Sequence, residues 1–251
     1  MTPPLHAEVA GRADGVPAVL VHGFLSSNAQ WDLNRERLGA RLRLVQVELL
    51  GHGRSPAPDD PEAYAPDAVV ERLDSVRELL GIDRWFVVGH SMGGAIGIRY
   101  ALTHPDRVLG MVFTNSRAVF GVGRDPDEPP RIPADLRRLP QHPIHATRFP
   151  SDVQARMVAA ADAMDPAVVE RVVTHVGGWR SADELGRLAV PTLLVNGRWE
   201  KAFQPHVAVV RDTIDDVTIV ELEGGHSINI EQPEHFDRAV LDFVAAAGPD
   251  R

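Results

Sequence analysis

Ser91 stands in the run Gly89-His90-Ser91-Met92-Gly93-Gly94, a Gly-x-Ser-x-Gly pattern. Glycines on both sides of a serine suit a turn too tight for side chains, which holds the hydroxyl on a strained and exposed corner. A lone serine hydroxyl is a poor nucleophile near neutral pH. It needs a base to take its proton, and that base needs a third group to orient it. His226 lies in a late glycine-rich loop, Glu223-Gly224-Gly225-His226-Ser227. Attack on a carbonyl also creates an oxyanion, which preorganised donors must receive. The backbone N–H of Met92, the residue after the serine, is one expected donor. The chemistry this set could perform is acyl transfer to water, in which a serine-bound acyl group forms and is then hydrolysed.

Such a corner requires a strand before it and a helix after it. Residues 85–88 form an apolar strand run, and residues 89–103 read as a helix. The same alternation extends both ways. Residues 17–21, 41–47 and 107–113 are further strand runs, and residues 67–80 place Val69, Val70, Leu73, Val76, Leu79 and Leu80 at helical spacing before Gly81. Strands alternating with helices predict a parallel sheet with right-handed crossovers. The pattern lapses after Ser116. Residues 121–150 are rich in Pro, Arg and Asp, and residues 151–176 read as two helices broken near Asp165-Pro166. Strand and helix runs resume at residues 190–195, 206–213, 217–222 and 233–246. A long segment inserted between sheet strands is usually functional, so residues 117–185 are expected to form a lid over the active site.

Taken together, the strand ending His22-Gly23-Phe24, the loop Leu50-Gly51-His52-Gly53-Arg54-Ser55, the Gly-His-Ser-Met-Gly-Gly corner and the late Gly224-Gly225-His226 resemble the α/β-hydrolase superfamily. The resemblance runs from about residue 15 to the end of the chain. It implies an α/β fold: a mostly parallel, doubly wound sheet, with a small helical cap inserted after the sixth strand. Residues 1–116 and 186–251 would form the core and residues 117–185 the cap. It implies His226 as the base and Glu200 as the acid. Glu200 departs from the family's usual Asp, being one methylene longer, so its carboxylate must sit further back. Neighbouring Lys201 could compete for it. The alternative acid position, after residues 107–113, reads Thr114-Asn115-Ser116 and offers no carboxylate. The resemblance also makes the Phe24 backbone N–H the second oxyanion donor beside Met92. Phe24, Trp31, Phe120 and Trp179 are expected to line an apolar substrate pocket, with Phe149 and Trp199 as further candidates.

The implied activity is that of a serine hydrolase, a carboxylic ester hydrolase first among them, working through a Ser-His-Glu triad. The same triad also serves carbon–carbon bond hydrolases and lyases, including tailoring enzymes of natural-product biosynthesis. Some members of the fold are catalytically silent binding proteins, and fold alone does not decide among these. The expected partner is a small-molecule substrate with an apolar portion, and no cofactor or metal is called for.

Bulk composition agrees. The chain has 251 residues, 44% hydrophobic and 24% charged, with no cysteine and a formal charge of −9. The acidic balance argues against nucleic acid as a partner. No apolar run nears the roughly 20 residues of a membrane helix. The first residues lack the basic and apolar stretches of a secretory signal, so a cytoplasmic location is expected.

Overall fold

The computed structural model describes residues 4–121 and 131–248. The chain opens with β1 (Ala7–Gly11), β2 (Val16–Val21), α1 (Arg35–Gly39), β3 (Leu42–Val47), α2 (Pro66–Leu79), β4 (Trp85–Gly89), α3 (Met92–Thr103) and β5 (Val108–Thr114). A long excursion follows, carrying α4 (Ser151–Asp162) and α5 (Pro166–Thr174). It returns through β6 (Thr192–Gly197), α6 (Gln204–Thr213), β7 (Val217–Leu222), the short α7 (Ile228–Glu231) and α8 (Pro233–Ala247).

Among the described residues, seven strands form one sheet in the order β1-β3-β2-β4-β5-β6-β7. Only β1 runs antiparallel, against β3; the other pairs are parallel. Period-2 alternation sends side chains to two cores. Val19, Val21, Val87 and Met111 face α2, α3 and α6. Leu20, Phe86, Val88 and Val112 face α1 and α8. Both faces of the central strands are therefore covered, which explains their unbroken apolar runs.

Strand order reverses beside β2. The chain passes from β2 to β3 on one side, then crosses back to β4 on the other. Loops leaving β2 and β4 therefore diverge to opposite faces and open a crevice at the carboxyl ends, where open α/β sheets bind ligands. Register sets those ends level, with Val21 opposite Gly89 and Gly89 opposite Phe113.

Two features differ from the sequence reading. The strand β1 was not foreseen; its residues Ala7-Glu8-Val9-Ala10-Gly11 alternate only weakly and lie at the sheet edge. The excursion follows the fifth strand and not the sixth, because β1 and four parallel strands precede it. Its two helices and the break at Asp165-Pro166 fall where the spacing placed them, and Asp165 caps α5 by accepting from the Ala167 N–H. Residues 122–130, within the expected cap, lie outside the described residues. Among the described residues, no helix is long and apolar enough to cross a membrane.

Candidate active site

Ser91 sits between β4 and α3 with φ 52° and ψ −116°. This left-handed backbone is uncommon for any residue with a Cβ and costs on the order of 1–3 kcal/mol. The flanking glycines allow it by close approach. A Cβ on Gly89 would lie 2.3 Å from the Gly93 carbonyl oxygen, and one on Gly93 would lie 2.2 Å from that of Val21. The corner therefore presses against β2, and the first turn of α3, with its positive dipole end, begins at the serine.

His226 reaches this corner from the loop after β7. Its Nε2 lies 2.9 Å from Ser91 Oγ, and its Nδ1 lies 2.9 Å from Glu200 Oε2. A carboxylate accepts only, so Nδ1–H donates to Glu200 and the free Nε2 accepts from the serine hydroxyl. Ser91, His226 and Glu200, far apart in sequence, thus form one continuous hydrogen-bonded line. Glu200 belongs to the loop after β6, and among the described residues Lys201 makes no ion pair with it.

Phe24 and Met92 flank the same point. A Cβ on Gly23 would meet the Ser91 Cβ at 3.3 Å, so the loop after β2 lies directly against Ser91. His22 fixes that loop. Its Nε2 accepts from the Leu49 N–H at 3.0 Å, which leaves Nδ1–H to donate to the Gly23 carbonyl at 2.7 Å. The Phe24 N–H shares that peptide plane and points the opposite way. Among the described residues, neither the Phe24 nor the Met92 amide finds an acceptor. Unsatisfied donors beside a nucleophile suit an oxyanion.

The end of β5 supports two parts of this line. Thr114 Oγ1 lies 2.9 Å from His90 Nδ1. Asn115 grips Gly197 twice, donating to its carbonyl at 3.0 Å and accepting from its N–H at 2.8 Å. Ser116 donates to the Ser91 carbonyl at 2.5 Å. All three side chains are fully buried. Thus the segment that lacks a carboxylate holds both the serine corner and the strand end that carries Glu200. The His226 loop is held likewise: Glu231 accepts from the Gly225 N–H at 2.9 Å and pairs with Arg148. Asn229 exchanges hydrogen bonds with Gln30, linking this loop to the one after β2.

Three buried histidines stay neutral around the corner. Burial lowers His22 to about 4. Burial, then the field of His22, lowers His52 to about 3. Burial, then His226 and His22, pushes His90 well below its usual value. His90 packs edge-on to the His226 ring at 5.0 Å.

A cleft of about 750 Å³ opens over Ser91, lined by Phe24, Leu25 and Met92 from the core and by Ile132, Leu139, Phe149, Met157 and Val173 from the excursion. Trp31, Phe120 and Trp179 do not line it, contrary to expectation. Trp31 is fully buried on the opposite face against Phe236, at 6.2 Å between rings. Phe120 stacks on His206 at 4.1 Å. Trp179 is buried in the larger core cluster, which includes residues of α2, α3 and α6. Each aromatic found a neighbouring element to cover it. Trp199 is partly exposed, beneath the Arg148 guanidinium at 4.8 Å. The aliphatic lining was not singled out from the sequence, although Val153, Met157 and Ala161 at four-residue spacing marked the buried face of α4.

Residues 17–233 match the family model described as the alpha/beta hydrolase fold. The chain belongs to the α/β-hydrolase family. It is similar to a candidate carbamate hydrolase, RutD, of Variovorax paradoxus, with 30% identity over 96% of this chain and 96% of that protein. It is also similar to the proline iminopeptidase of Neisseria gonorrhoeae, with 27% identity over 78% of this chain and 77% of that one. Among solved structures, a hydrolase from Pseudomonas aeruginosa PA01 superposes with a TM-score of 0.82 at 25% identity, covering 96% and 94% of the two chains. An esterase from Thermogutta terrifontis shares the fold, with a TM-score of 0.83 at 24% identity over 97% and 93%. The chain is an α/β-hydrolase enzyme.

Proposed function

We propose that this α/β-hydrolase cleaves small carboxylic esters through an acyl-enzyme on Ser91. His226 takes the serine proton as Oγ attacks the carbonyl, and Glu200 holds the imidazole and balances its charge. The Phe24 and Met92 amides receive the oxyanion. As the intermediate collapses, His226 returns the proton to the leaving alcohol. Water then enters, gives a proton to the same nitrogen, and releases the acid. One observation carries the reading: two 2.9 Å contacts that link Ser91, His226 and Glu200 in a line.

The apolar cleft walls suit an acyl or alcohol portion of modest size. Residues 117–185 act as the cap of this site, since the cleft is walled on one side by their segment. A generic aryl ester tests the function. Wild-type protein is expected to hydrolyse 4-nitrophenyl butyrate, and Ser91→Ala to lose that turnover. Undiminished turnover by the variant would refute the proposal.

A further inference from the structure

The cleft does not share the charge of the chain. The protein carries a formal charge of −9, yet Arg117, Arg131 and Arg148 line the cleft alongside two carboxylates, Glu200 and Glu231. Both carboxylates are engaged. Glu200 binds His226, and Glu231 binds the Gly225 N–H and Arg148. Arg148 is engaged in turn, by Glu231 and by the face of Trp199.

Arg117 differs from these. Arg117 lines the cleft and is exposed, and among the described residues its guanidinium has neither a hydrogen bond nor an ion pair; its charge also reaches His206, which burial and then Arg117 lower from the usual value. Its position is close to the chemistry. Adjacent Ser116 hydrogen-bonds the Ser91 carbonyl at 2.5 Å, so Arg117 stands one residue from a group that touches the nucleophile's own backbone. A guanidinium is a planar fork matched to a carboxylate. The same cleft has apolar walls, among them Phe24, Ile132 and Leu139; a substrate filling it would displace water and strengthen the attraction of the guanidinium for an anion.

We propose that Arg117 is a specificity-determining residue, and that the substrate ester carries a free carboxylate which pairs with it. This rests on the acyl-hydrolase reading above and narrows it to anionic esters. The carboxylate belongs either to the acyl chain or to the leaving alcohol.

Three chromogenic esters separate these sources: neutral 4-nitrophenyl butyrate, 4-nitrophenyl hemiglutarate with the charge on the acyl side, and 5-butyryloxy-2-nitrobenzoate with it on the leaving group. Arg117→Gln is expected to lose about tenfold more kcat/KM on one charged ester than on the neutral one, chiefly through KM, an effect that weakens at high salt. The ester that suffers names the side. Arg117→Lys, which keeps the charge but not the fork, should recover part of the loss. Equal losses on all three esters, or none, would overturn the proposal. Calorimetric titration of glutarate separates it from the catalytic reading. If wild-type protein turns over none of the esters, the hydrolase reading fails alone. Glutarate binding weakened by Arg117→Gln would still uphold the anion site, and binding indifferent to that change would overturn it.

Discussion

At the scale of single residues, Glu200 carries the sharpest consequence. Glu200 stands where a shorter Asp is usual, and the loop after β6 sets it back so that Oε2 meets His226 Nδ1 at 2.9 Å. Glu200→Gln keeps the length but loses the charge, and its amide can offer Nδ1 a donor in place of an acceptor. The wrong imidazole tautomer then follows, and kcat for an aryl ester is expected to fall about 10³- to 10⁴-fold. Glu200→Asp retains the charge but leaves the carboxylate one methylene short. Its kcat should fall less than that of the Gln variant, a ranking that steady-state kinetics would check. The meeting of Ser91, His226 and Glu200 could be anticipated from sequence because a corner motif and loop order announce it. Trp31, Phe120 and Trp179 were misplaced because an aromatic residue type does not say which element will cover it.

At the scale of elements, the end of β5 shows what sequence leaves hidden. Thr114-Asn115-Ser116 read as an absence, a strand end without an acid. In the fold it is a brace: the Asn115 amide imitates a paired backbone and holds Gly197, 82 residues away. No local pattern encodes such a contact, since it depends on β5 and β6 being neighbours. Asn115→Ala would leave a buried N–H and a buried carbonyl unpaired, each costing about 1–3 kcal/mol. A melting point lowered by several degrees is expected. If the brace also positions Glu200, kcat should fall by about tenfold while KM stays within about twofold. A melting shift with unaltered kcat would reduce Asn115 to a purely structural role. The strands and helices of the core were legible because buried runs and helical spacing are local signals. The edge strand β1 was not, because a weakly alternating edge depends on its partner β3 for definition.

At the scale of the whole molecule, the sheet's reversal beside β2 places Phe24 after β2 and Ser91 after β4, while β6 and β7 bring Glu200 and His226 to the same edge. That arrangement buries titratable groups, and pH should expose their effect. His22, His52 and His90 are held neutral with lowered pKa values. The unfolded chain binds protons on them below about 6.5 while the folded chain does not. Their contribution is therefore present above that pH and is lost as pH falls toward 4. Asp237 opposes this. Burial raises it to about 7, against the lowering effects of Asn34 and Arg37. Its protonated folded form is favoured at low pH, and the benefit is lost as pH rises from the ordinary carboxyl range through about 7. Near pH 5 three protons taken up on unfolding meet one released, so these groups together give a slope of about 2–3 kcal/mol per pH unit, with stability falling toward acid. Urea midpoints across pH 4–8 would measure it. Asp237→Asn should steepen the acid limb and flatten the curve near neutrality, and an unchanged pH profile would contradict the placement of that carboxyl.

The proposed role of Ser91, His226 and Glu200 is tested most directly by covalent capture. A fluorophosphonate probe, followed by peptide mapping in a mass spectrometer, reads which side chain acts as the nucleophile. The geometry predicts one equivalent of label on the peptide bearing Ser91, absent in Ser91→Ala and strongly slowed in His226→Ala. An unlabelled Ser91 in protein that still hydrolyses esters would contradict it.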